Sequence, residues 1–380
     1  MRKIIRRSTV ILQNSLYNLL LPAINILLAS LVIRLTSKTL WGGFVDVLVV
    51  VQFTAQVAAW GNKEYLLRGF SRQPATMPHQ WQAAFYPRLL IACPLILLAD
   101  AKIFIWLLGL IIAASFDVLI LYRKAFFYAI RVELIAALGV AIVIVARYQT
   151  LIVDDLITFF ALAAWLKVIL LGYRFRDVLG FTWGGFSYFQ AAFPFFLLTF
   201  SGALASRIDL YTVSLLRLDE EVAQYQVFIN LMLYLQALSN FILLPYTKNV
   251  YRLTDSSIRK LSHRLFILGI FITPPAILVA WGVLWVLYDV RFSGVMMLLG
   301  GAFVLPIYAF LPLIYRLYKR NEQRVVLWVN LYGAVLNLIL NIIFLPIMGI
   351  TGAILSSAII QWGMLYAYLS NLRRINHKTQ

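Results

Sequence analysis

The chain has 380 residues, 62% of them hydrophobic and 15% aromatic, with a mean hydropathy of +0.86. Lys and Arg outnumber Asp and Glu by 33 to 15, a formal net charge of +18. So apolar a composition excludes an ordinary soluble domain, and a single cysteine, Cys93, excludes an intramolecular disulfide or a cysteine-rich metal site.

In chain order the apolar runs predict about twelve membrane spans: roughly 10–35, 40–61, 82–99, 103–122, 126–147, 152–173, 189–216, 222–246, 264–288, 293–316, 324–345 and 349–371. A bilayer crossing takes about 20 predominantly apolar residues. The opening MRKIIRRS is basic like the start of a signal peptide. Its apolar part is too long for one, however, and no small-residue cleavage site precedes Arg34, so it reads as the entry to the first span. Only Asp100 to Lys102 separates the third span from the fourth.

The cations fall in clusters between these runs, and alternate clusters are denser. With the N-terminus placed in the cytoplasm, 24 of the 33 Lys and Arg lie on the cytoplasmic side, Arg88 and Arg316 among them. Six lie opposite, at Arg34, Lys38, Lys102, Arg147, Arg217 and Arg291, and Arg131, Lys167 and Arg207 lie within spans. Cytoplasmic loops collect Lys and Arg, so both termini are assigned to the cytoplasm and the protein to a bacterial inner (cytoplasmic) membrane. The basic charge is this topological bias, helped by anionic headgroups, and not a nucleic-acid signal.

The expected fold is an all-α polytopic membrane protein of two six-helix bundles, residues 1–180 and 181–380, divided at the connector 174–188. A slide of 181 residues lays Leu40-Trp-Gly-Gly-Phe44 on Glu221-Val-Ala-Gln-Tyr225, the faint self-similarity of a repeat-built transporter. Prolines 22, 94, 194, 274, 275, 306 and 312 fall inside spans, where each frees a carbonyl that a neighbour must satisfy. Gly349-Ile-Thr-Gly-Ala353 opens the last span with a small-residue pattern suited to close packing.

No enzyme constellation is present. His79, His263 and His377 lie in cytoplasmic segments without a second ligand at metal spacing. No G-x-x-x-x-G-K-[ST] loop binds ATP, and no cofactor is implied. Asp154-Asp155 and Glu220-Glu221 read as solvated helix starts.

The informative residues are polar ones inside spans, because a charge in lipid is costly unless it is paired or lines water. Toward the outer leaflet lie Arg34, Asp46, Arg207 and Asp209; toward the cytoplasm lie Asp117, Arg131, Glu133 and Lys167, which suit structural ion pairing. Arg207 and Asp209 point about 200° apart on an ideal helix, so only one can face a central cavity. Arg207 is the candidate contact for an anionic substrate. Asn14, Asn18 and Asn25 share one face of the first span, as Asn330, Asn337 and Asn341 do on the eleventh. Such amides bind sugar hydroxyls or bond between helices; the first reading is favoured for the first stripe and the second for the other.

Three stretches resemble a known family. Gly61-Asn-Lys-Glu-Tyr-Leu-Leu-Arg68 is similar to the G-x-x-x-x-x-x-R that ends the second helix in polysaccharide (O-antigen, Wzx-type) flippases of the MOP (MATE-like) exporter superfamily. Pro194-Phe-Phe through Ser206-Arg-Ile-Asp209, Glu221 to Tyr225 and Leu244-Pro245 resemble the corresponding region, and Leu345-Pro-Ile-Met-Gly-Ile-Thr-Gly-Ala353 resembles the family's ending. Asn62-Lys63-Glu64 departs from the pattern in being more charged.

The resemblance implies a cavity lined by the first, second, seventh and eighth spans. It also implies transport of an undecaprenyl-pyrophosphate-linked oligosaccharide from the cytoplasmic to the periplasmic leaflet. The substrate-binding candidates are then Arg207, Asn14, Asn18, Asn25, Arg34 and Arg68, and the ion-coupling candidates Asp46 and Asp209. Partners are the lipid-linked oligosaccharide, membrane lipids and the polysaccharide polymerase and ligase machinery, with no nucleic acid. The alternatives are a multidrug or metabolite antiporter, or a lipid-linked peptidoglycan precursor flippase, of the same superfamily. A scaffold or integral glycosyltransferase is weighed down by the absence of a large extramembrane loop.

Overall fold

The computed structural model describes residues 2–92, 100–243 and 253–378, and every element among them is helical. In chain order these are α1 (Arg2–Leu35), α2 (Lys38–Ala59), α3 (Asn62–Arg72), a 3-10 turn (Pro74–Thr76) and α4 (Met77–Ala92). Then come α5 (Ala101–Ser115), α6 (Asp117–Arg123), α7 (Phe126–Arg147), α8 (Val153–Arg174), α9 (Ser187–Leu216) and α10 (Asp219–Leu243). The chain closes with α11 (Asp255–Tyr288), α12 (Gly294–Val304), α13 (Pro306–Lys319), α14 (Gln323–Met348) and α15 (Ile350–Lys378).

Ten stretches among the described residues are long and apolar enough to cross a membrane, with α2–α3, α5–α6 and α12–α13 each forming one. They match ten of the twelve expected spans. The third, 82–99, starts in α4 and continues into residues 93–99, outside the described residues together with Cys93 and Pro94. The eighth, 222–246, is α10 up to Leu243; its end, with Leu244-Pro245, lies outside them too. Among the residues of α10, the amides Gln224, Gln226, Asn230, Gln236 and Asn240 and an acidic first turn lower the hydropathy. At about 1.5 Å per residue its 25 residues are nonetheless long enough to span.

The chain divides into two compact units, Met1–Phe200 and Ser201–Gln380, and the division falls inside α9. In unit 1, Phe44 of α2, Trp106 of α5 and Phe160 of α8 form an aromatic core, with centroids 4.8 to 5.9 Å apart. Gly109 lets α5 approach α8: an added Cβ would meet that of Ala164 at 3.1 Å. A turn at Trp60 and Gly61, with φ of 44° and 62°, separates α2 from α3. Gly61 is required there, since a Cβ would meet the Phe195 carbonyl carbon at 2.6 Å. Trp60 then stacks on Phe196 at 4.2 Å and donates from Nε1 to the Phe189 carbonyl at 3.1 Å, tying the first half of α9 into unit 1.

In unit 2, α14 and α15 form a hairpin around Gly349, whose φ is +61°. Tyr308 of α13 packs where Gly269 of α11 leaves no side chain, and its hydroxyl donates to the Leu235 carbonyl at 3.2 Å. Among the described residues unit 1 contains two broken spans, at Trp60–Gly61 and at Phe116, and unit 2 one, at Leu305–Pro306. Each unit also lays a tryptophan on a carbonyl of a broken span: Trp165 of α8 on Ile105 of α5 and Trp362 of α15 on Ala302 of α12, both at 3.0 Å.

Two cations assigned to cytoplasmic segments are in fact interior. Arg88 is 2% exposed in α4, donating from Nη2 to the Ser115 hydroxyl at 2.9 Å and from Nε to the Ala84 carbonyl at 3.0 Å. Arg316 is fully buried in α13. Charge alternation along the chain reports sidedness on average; it does not resolve a long side chain that folds back into its own bundle.

Candidate functional site

Two polar clusters stand out, one in each unit. The first is built around Asp209 on α9, 2% exposed. Its Oδ2 accepts from the Tyr225 hydroxyl of α10 at 2.7 Å and from the Ser357 hydroxyl of α15 at 2.9 Å, and its Oδ1 accepts from the Leu210 main chain at 2.7 Å. Asn337 of α14 donates to Ser357 at 3.2 Å, and Asn341, one turn further on, donates to Asn337 at 3.2 Å. The carboxylate, two hydroxyls and two amides of four helices thus form one continuous buried network. The Oδ1 of Asn341 and the Oε1 of Gln361 have no hydrogen-bond partner among the described residues. An oxygen-rich site with one carboxylate suits a proton or a hard monovalent cation. Among the described residues no group of three or more His, Cys, Asp or Glu gathers for a metal.

Arg207, two residues before Asp209, points the other way, as helical geometry requires. It is half-buried and donates from Nη1 to Asn230 of α10 at 2.5 Å.

The second cluster lines a cavity of about 640 Å³ within unit 1, around the end of α3 and the starts of α4 and α9. Arg68 and Arg72 are i, i+4 on α3 and so share the face that meets it. Tyr65, Gln73, Gln80, Ser187 and Tyr188 complete its polar lining, and among the described residues no carboxylate contributes. Neither guanidinium has an ion-pair or hydrogen-bond partner among the described residues. Gly69 between them leaves room for Gln80, whose Oε1 lies where a Cβ would stand and whose Nε2 donates to Thr76 at 2.7 Å.

The connector 177–187 is laid along α4 beside this cavity. Gln82 donates to the Val178 carbonyl at 2.8 Å and accepts from Thr182 at 2.7 Å, and Tyr86 donates to the Gly180 carbonyl at 2.5 Å.

The other sequence candidates are dispersed. Asn18 is exposed and donates to the carbonyl of Asn14 at 2.9 Å and to its side chain at 3.2 Å, so these two amides pair with each other. Asn25 and Arg34 are exposed and Asp46 is half-buried on α2. In contrast, Asn330, Asn337 and Asn341 are all buried, and Tyr368 donates to Asn330 at 3.2 Å, so the eleventh-span stripe bonds between helices. Of the inner group, Lys167 and Glu133 pair at 2.5 Å, whereas Arg131 is exposed over the ring of Phe127 at 4.3 Å.

Sequence reading missed Ser357, Arg72, Gln80 and Tyr188. A Ser-Ser pair at 356–357 inside an apolar run, and the i+4 relation of Arg72 to Arg68, were the available signals.

No protein-family profile and no curated protein sequence matches the chain. Similar solved structures include the following three. A lipid II flippase, MurJ, in an inward-closed conformation superposes with a TM-score of 0.70 at 13% identity, over 94% of this chain and 87% of that one. An inward-facing multidrug-resistance MATE transporter of the MOP superfamily gives 0.66 at 12%, over 93% and 94%. A MATE protein in a bent conformation gives 0.57 at 12%, over 97% and 93%. The fold is that of the MATE- and MurJ-like transporters.

Proposed function

We propose that this chain is a secondary transporter, not an enzyme, that flips an undecaprenyl-pyrophosphate-linked oligosaccharide from the cytoplasmic to the periplasmic leaflet of a bacterial inner membrane, for surface-polysaccharide synthesis. The observation that carries this reading is the cavity of unit 1, where Arg68 and Arg72 face open space with no neutralising carboxylate. Two uncompensated guanidiniums suit a diphosphate, which they can engage in bidentate fashion. Tyr65 and Tyr188 offer faces for sugar rings, and Gln73 and Gln80 offer amides for hydroxyls. A carrier of cationic drugs would repel its cargo there. That a lipid II flippase shares the fold supports a lipid-linked substrate.

Within this reading the two six-helix bundles, 1–180 and 181–380, are the moving parts of alternating access. Asp209 carries the coupling ion, with Asp46 as the second candidate. Arg207, Arg34, Asn14, Asn18 and Asn25 contact the substrate along its route. The polymerase and ligase machinery consumes the delivered oligosaccharide.

The test is complementation of a gene deletion, scoring surface polysaccharide and the leaflet distribution of its precursor. Precursor stranded on the cytoplasmic face, rescued by the wild type but not by Arg68→Ala/Arg72→Ala, is the expected result. Normal polysaccharide and precursor distribution in the deletion, with restored efflux of cationic dyes on complementation, overturns it.

A further inference from the structure

A second cavity, of about 530 Å³, is a groove on unit 2 between α14 and α15. One face of α14 buries Asn330, Asn337 and Asn341 inside the unit, while the groove side exposes Trp328 at 53%, Tyr332 at 62% and Leu336 at 52%. Exposed apolar rings opposite a buried polar stripe mark the lipid-facing side of a membrane helix. Ile360 and Met364 of α15 form the other wall. Gly363 borders the groove, and a Cβ built there meets nothing within 4 Å.

One end is closed by Arg324, in the first turn of α14, and by Asn371. Arg324 is exposed and has no ion-pair or hydrogen-bond partner among the described residues. Charge patterning assigns this end to the cytoplasm. Trp328 and Tyr332 stack at 5.6 Å one turn further in, as interfacial aromatics do. From Arg324 to Leu336 the helix rises about 18 Å, close to the hydrocarbon depth of one leaflet at roughly 15 Å. An apolar channel one leaflet long, with a free cation at the headgroup level, matches an ordinary acyl chain below a phosphate. A long polyprenyl tail would overrun it.

We propose that this groove is a binding site for one anionic glycerophospholipid of the cytoplasmic leaflet, its phosphate on Arg324 and an acyl chain between α14 and α15. The site depends only on the chain spanning a membrane, so it stands apart from the substrate reading above.

Native mass spectrometry of the delipidated full-length protein tests it, with phosphatidylglycerol, phosphatidylcholine or a polyprenyl phosphate added in separate arms. One phosphatidylglycerol should be retained about tenfold better than phosphatidylcholine, whose choline cation offsets the phosphate charge that meets Arg324. Arg324→Ala should erase that preference, and Gly363→Leu, which places a side chain in the open space beside Gly363, should abolish retention in a protein that still elutes as a single species. Should Gly363→Leu fail to fold, the phosphatidylglycerol-to-phosphatidylcholine ratio of Arg324→Ala decides, because that side chain is exposed. Equal retention of the two phospholipids, retention untouched by the substitutions, or preference for the polyprenyl phosphate overturns the proposal.

Discussion

The indole of Trp362 donates to the main-chain carbonyl of Ala302 at 3.0 Å. That carbonyl is the one whose intrahelical donor would be the residue at 306, a proline with no N–H. Trp165 makes the equivalent bond to Ile105, also sixty residues upstream, but there the residue four positions on is Gly109, which keeps its N–H. The same device, repeated in both units, therefore has unequal importance.

Trp362→Phe should destabilise the protein by about 1–3 kcal/mol, the cost of leaving an acceptor in lipid without a donor. Trp165→Phe should cost less, nearer 0.5–1 kcal/mol. Thermal unfolding in detergent measures both. Pro306→Ala should recover most of the Trp362→Phe loss; no recovery would mean that indole packing, not the carbonyl, sets the cost.

The shared oxygen of Asp209 makes a different prediction. Asp209→Asn retains an acceptor for Tyr225 and Ser357, so the fold should hold to within about 1 kcal/mol, while Asp209→Ala leaves two hydroxyls unpaired at about 1–3 kcal/mol. Flipping by Asp209→Asn in vesicles should lose its response to an imposed proton or sodium gradient. An intact response would move coupling to Asp46.

Glu133 and Lys167 are an interior ion pair at 2.5 Å, with 14% and 24% side-chain exposure. Removing Lys167 alone should cost roughly 3 kcal/mol or more, because Glu133 is left without its cation. The double substitution Glu133→Gln/Lys167→Met should be milder than Lys167→Met by itself. A double-mutant cycle on thermal stability reads this directly, and additive losses would show that the two side chains act independently.

Outside the spans, Arg123 grips Asp177 through both carboxylate oxygens, at 2.9 and 2.6 Å. This pairing holds the Asp177 carboxyl below its ordinary range. A depressed folded-state value means that the contribution is complete at neutral pH. It fades only as pH falls below about 4, the ordinary value of the unfolded group, toward the folded one. Because Asp177 is largely exposed, the pair is worth less than about 1 kcal/mol and weakens with salt. The stability difference between wild type and Asp177→Asn should therefore be small at pH 7, smaller in high salt, and absent in strong acid.

Residue order alone shows an all-helical, multi-spanning protein and where ten of its spans run, and it is the basis on which the loops are assigned to sides. A helix in lipid must satisfy its whole backbone internally and cover about 30 Å with apolar side chains, so its signal is local and long. The pairing of Glu133 with Lys167 and the interhelical use of Asn330 and Asn337 were legible in the same way, as polar groups too costly to leave alone in lipid. Only the tertiary structure decided that Arg88 and Arg316 fold inward and that Asn14 and Asn18 satisfy each other. It alone also decided that Asp209 meets Tyr225 and Ser357, and that Arg68 joins Arg72, Gln80 and Tyr188 around one cavity. These meetings span up to 148 residues of chain, and a helical period fixes only the face of its own helix. Which face meets which is settled by close packing, through glycines such as Gly61, Gly69 and Gly109 whose missing side chains admit a neighbour that the sequence does not name.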